Sequence, residues 1–72
     1  MRFIKVSRRS NGHYINAALV NELYIRKCDY VDGKTEYLVV ADVDDDQYYI
    51  DSYEKRADAE RALENLIRSL EE

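Results

Sequence analysis

The side chains able to do chemistry are few and scattered. His13 is the sole histidine and Cys28 the sole cysteine in 72 residues. One imidazole cannot build a two-histidine metal site. A catalytic histidine would also need a nucleophile and an orienting acid, which no spacing here provides. His13 follows a turn and is expected to be exposed. Cys28, beside Lys27 in an extended run and without a redox partner, reads as a half-buried structural thiol. Asp42-x-Asp44-x-Asp46 has the alternating carboxylates that open a calcium loop. Such a loop needs glycine at its sixth position and glutamate at its twelfth. Those positions hold Gln47 and Tyr53, and a start at Asp44 places Tyr49 and Lys55 there. Both registers fail, so a solvated hairpin turn is expected. No catalytic residue, metal ligand or cofactor follows from these residues, and the chain is not expected to be an enzyme.

Binding chemistry is better represented. Seven tyrosines stand against one phenylalanine and no tryptophan. Tyrosine has a large apolar body and a polar tip, which suits half-buried surfaces and partner contacts. Tyr48 and Tyr49 are adjacent, so on a strand they point to opposite faces. Tyr24, Tyr48 and Tyr49 are the candidate partner-binding residues. A second cluster, Arg2, Lys5, Arg8 and Arg9, could contact phosphates and defines the alternative, a small nucleic-acid-binding accessory protein. Against it stand a pI near 4.9 and five carboxylates between Asp42 and Asp51.

Elements must position these groups, and the apolar period supplies them. Strand alternation runs over about 2–8, 13–15, 22–30, 36–43 and 47–51. Ser10-Asn11-Gly12, Asp32-Gly33 and Asp44-Asp45-Asp46 break it with turn chemistry. Residues 16–21 are open to two readings: Asn16 caps a helical turn, or the segment leads straight into the next strand. From about Glu54 to Glu71 the period changes. Ala59, Ala62, Leu63, Leu66, Ile67 and Leu70 form one face of an amphipathic helix. Asp51 with Glu54 fits a capping box, and Glu64 with Arg68 an i, i+4 ion pair. Short connections make the strands antiparallel. The expected fold is α+β, an antiparallel sheet of four or five strands with the C-terminal helix packed on one face.

Composition narrows the setting. Length allows one domain, and a chain of this size buries only roughly 60% of its unfolded surface. With no internal disulfide available, pairing with a second chain is the readiest reinforcement, so a homodimer is expected. No apolar run reaches membrane-span length, and Met1-Arg2-Phe3-Ile4-Lys5 is too broken for a signal peptide. A soluble cytoplasmic protein is expected. The net charge of −4 hides an uneven distribution. Seven basic residues face four acidic ones in residues 1–36, and four face eleven in 37–72.

Two partial resemblances follow from these residues. Ile4-Lys5-Val6-Ser7-Arg8 with Asn11-Gly12 and Tyr14-Ile15-Asn16 resembles the start of the FlbD-like small flagellar proteins, over about a quarter of the chain. Tyr37-Leu38-Val39-Val40 through Tyr48-Tyr49-Ile50 to Tyr53, followed by Arg56-Ala57-Asp58-Ala59-Glu60-Arg61-Ala62-Leu63, is similar to the sheet-then-helix ending of many small bacterial proteins. It is also similar to the arm-type DNA-binding domains of tyrosine recombinases. That second likeness implies architecture only, because strands laid on DNA are neutral or basic and these carry Asp42, Asp44, Asp45, Asp46 and Asp51. A non-catalytic interaction module is the expected function, using an open Tyr-bearing sheet face or a sheet edge.

Overall fold

The computed structural model describes residues 2–6 and 13–71. Its elements are β1 (Phe3–Lys5), β2 (Tyr14–Asn16), β3 (Glu22–Asp29), β4 (Thr35–Val43), β5 (Asp46–Tyr53) and the helix α1 (Arg56–Glu71). The class is α+β, with antiparallel strands and one C-terminal helix against the sheet. The five strands divide into two sheets, β1–β2 and β3–β4–β5. A single 3-10 turn at Ala17–Leu19 separates them, capped by Asn16, whose Oδ1 accepts from the Ala18 N–H at 3.0 Å. That turn settles the reading of residues 16–21 and explains the division, because it carries the chain away before β2 can pair with β3. The turn expected at Ser10-Asn11-Gly12 lies outside the described residues.

Turn chemistry fixes the register of the larger sheet. Gly33 has φ +88°, a conformation that costs glycine nothing. Around it, the Tyr30 N–H donates to the Lys34 carbonyl at 2.8 Å and the Gly33 N–H to the Tyr30 carbonyl at 3.0 Å. Leu23 then faces Ala41, Tyr24 faces Val40, and Arg26 faces Leu38. On the other side, Val43 pairs with Asp46 across the two-residue turn Asp44–Asp45. Asp44 takes φ +54°, which Asp tolerates better than most residues. Its N–H is held by Asn21 Oδ1 at 2.7 Å. Pairing between β4 and β5 shifts by one residue at Val39/Val40. Ile50 is the extra residue of this bulge, and it is buried.

The core lies on one side of the three-stranded sheet. Val39 and Ala41 of β4 and Ile50 of β5 cluster with Ala59 of α1 and with Ile4, Val6 and Ile15 of the first sheet. Helix and small sheet therefore share the work of covering that face. Ala62, Leu63, Leu66 and Leu70 pack against the cluster as the helical period requires, whereas Ile67 is 39% exposed on the flank. The capping box does not form. Asp51 belongs to β5, accepts from the Ser52 N–H and the Tyr53 hydroxyl, and α1 starts only at Arg56. Exposed ion pairs, Arg56–Glu60 at 2.9 Å and Arg61–Asp58 at 4.0 Å, decorate the first turns and contribute little individually. Ile50→Ala should destabilise the chain by about 2–5 kcal/mol. Urea unfolding should register this as a lowered midpoint with an unchanged slope.

Candidate functional site

The opposite face of the three-stranded sheet has no element over it among the described residues. By register it carries Tyr24, Arg26 and Cys28 from β3, Leu38, Val40 and Asp42 from β4, and Gln47 and Tyr49 from β5. Yet Val40 is fully buried and Leu38 is 4% exposed. Long side chains from the outer strands provide the cover. Tyr24 and Tyr49 flank Val40 in the register, and a chain of hydrogen bonds joins the two strands above it. The Tyr24 hydroxyl donates to Asp42 Oδ1 at 3.0 Å and accepts from Gln47 Nε2 at 3.1 Å. Arg26 reaches from β3 across β4, donating to Gln47 Oε1 at 3.2 Å and to the Tyr49 hydroxyl at 3.4 Å. Apolar stems thus lie on Val40 while polar tips bond to one another, the division of labour expected of amphipathic side chains.

The candidate tyrosines do not form one group. Tyr24 and Tyr49 lie on the uncovered face, on either side of Val40. Tyr48 points to the core side, where its ring stacks on His13 with centroids 5.6 Å apart and planes 19° from parallel. The two rings border a shallow depression with Tyr14, Leu19 and Val43. His13 is exposed, as expected. Cys28 is half-buried, opposite Glu36 in the register. Asp42 is engaged by Tyr24, while Asp44 and Asp45 form the turn. Among the described residues no three His, Cys, Asp or Glu side chains gather as a metal-binding group, and no helix is long and apolar enough to cross a membrane.

Of the basic cluster, Arg2 and Lys5 are exposed; Arg8 and Arg9 lie outside the described residues. Lys5 sits opposite Tyr14 on the outer side of the small sheet, with Phe3 opposite Asn16. Sequence reasoning missed Arg26 and Gln47 as members of the roof. The signal is present as two-residue spacing, since Arg26 must share a face with Tyr24, and Gln47 with Tyr49. What the spacing lacks is the pairing of β3 and β5 on either side of β4.

The roof also perturbs titration. Desolvation, then the hydrogen bond and charge of Asp42, raise the Tyr24 hydroxyl above its usual value of 10.0. Burial and then Asp51 do the same for Tyr53. A raised folded value means the fold favours the neutral phenol. The associated stability is complete below about pH 10 and is lost as pH climbs through the folded value. Tyr24→Phe should therefore remove amplitude from the late end of an absorbance-monitored phenolate titration. It should also flatten the decline of stability in that alkaline range.

No family model matches this chain, and neither a curated protein nor a solved structure matches it.

Proposed function

We propose that the chain is a small non-catalytic protein-interaction module, homodimeric in solution, that engages a second polypeptide through its three-stranded sheet. One observation carries this reading. β3 is the outer strand of the sheet, and its eight residues, Glu22–Asp29, have no strand beside them on the far side among the described residues. An open edge of that length is a template for another strand.

Surface chemistry supports the reading. The uncovered face beside β3 carries Tyr24 and Tyr49, and tyrosine is enriched where proteins meet. The single thiol, Cys28, suits a reducing compartment, and we place the module in the cytoplasm. Light scattering on the purified chain at tens of micromolar should give a mass near twice 8.5 kDa, falling on dilution as a weak interface requires. A mass of one chain at every concentration would overturn the homodimer.

A further inference from the structure

Resting on the homodimer reading, we infer that the interface is β3 paired antiparallel with the β3 of a second copy, with the two-fold axis at Tyr24. The hairpin geometry shows which backbone groups are free to pair. The Tyr30 N–H bonds across to Lys34, and hydrogen-bonded pairs alternate along an antiparallel ladder. Even-numbered residues of β3 therefore point their N–H and C=O groups at β4. Leu23, Ile25, Lys27 and Asp29 point theirs outward.

Of the two edges of the sheet, β3 suits a like chain better. It carries Glu22 and Asp29 against Arg26 and Lys27, a zero balance. β5 carries Asp46 and Asp51 with no basic residue, follows Asp44 and Asp45, and is bent by the Ile50 bulge. Two copies meeting there would set acid against acid, and bulges and like charges discourage edge pairing.

A two-fold axis perpendicular to the sheet keeps each side chain on its own face, so only residues of equal parity can oppose each other. Three central registers result, and cross-strand pairing separates them. With the axis at Tyr24, Glu22 of each copy faces Arg26 of the other, and Leu23 faces Ile25. Both charge positions are then opposite in sign, Arg26 exchanging its exposed bonds to Gln47 and Tyr49 for the other copy's Glu22, and both aliphatic pairs match. Leu23 and Ile25, half-buried in the single chain, become covered. An axis at Ile25 sets Leu23 against Lys27 and leaves Glu22 opposite Cys28. An axis at Arg26 brings two guanidinium groups together. Complementarity selects the first register. Its outward-facing pairs, Leu23 with Ile25, supply the backbone hydrogen bonds, and Tyr24 meets its own copy at the closer, non-hydrogen-bonded spacing.

Charge exchange and cross-linking test this register. Glu22→Arg or Arg26→Glu alone places like charges opposite each other twice per dimer. Each should weaken dimerisation roughly tenfold by sedimentation or light scattering. The double variant Glu22→Arg/Arg26→Glu restores opposite signs and should dimerise roughly tenfold more tightly than Arg26→Glu alone, which lacks the same Arg26 bonds to Gln47 and Tyr49. Glu22 lies outside the roof, so Glu22→Arg reads pairing without disturbing the cover of Val40. In a Cys28→Ser background, Tyr24→Cys should oxidise to a disulfide-linked dimer roughly tenfold faster than Tyr49→Cys, since the spacing of a non-hydrogen-bonded pair admits a disulfide. A wild-type dimer with neither the charge effect nor the preferred cross-link overturns the β3 interface while leaving the homodimer standing. A monomeric wild type overturns both.

Discussion

The constraint on which the structure turns is the double burial of β4. Its central residues Leu38, Val39, Val40 and Ala41 are all buried, although the described residues supply one helix and one small sheet to cover it, both on the same side. A strand buried on both faces normally has secondary structure over each. Here the second cover is made of side chains. Tyr24, Arg26, Gln47 and Tyr49 reach inward from the two outer strands and close over Val40. The register of both outer strands follows from that need, since a one-residue slip of either would turn its roof residues into the core.

This arrangement gives the uncovered face and the β3 edge different chemistry. The uncovered face is polar at its surface and already hydrogen-bonded within itself, so a partner laid on it would have to replace bonds that exist. Along the edge of β3 the situation is reversed. Among the described residues no strand pairs with the backbone donors and acceptors there, and half-buried Leu23 and Ile25 gain cover from any neighbour. Tyrosine content alone points to the face; the hydrogen-bond pattern moves attention to the edge beside it.

Much of the fold was legible in the sequence because local chemistry and apolar period agreed. Asp32-Gly33 announced the β3–β4 hairpin, and Ala59 through Leu70 announced the helix. Two features escaped for physical reasons. The division into two sheets depends on one 3-10 turn at Ala17–Leu19, where three helix-favouring residues are too few to stand out from the flanking strands. The Ile50 bulge moves the pairing by one residue, and β5 runs two residues past the expected end at Asp51, to Tyr53, which leaves Asp51 within the strand instead of at the helix cap. The candidate site was legible in composition but not in membership. Tyr48 and Tyr49 had to part, yet only pairing with β4 decides which of them joins Tyr24.

The bulge in β5 has a consequence for assembly. An object with two equivalent open edges can add copies indefinitely, each new strand presenting another free edge, and such growth ends in fibres. This sheet is one-sided in that respect. One edge is straight and electrically balanced, the other kinked by Ile50 and ringed with aspartates. Its valence for strand addition is one, so a pair of copies joined edge to edge is a closed unit with no growing end.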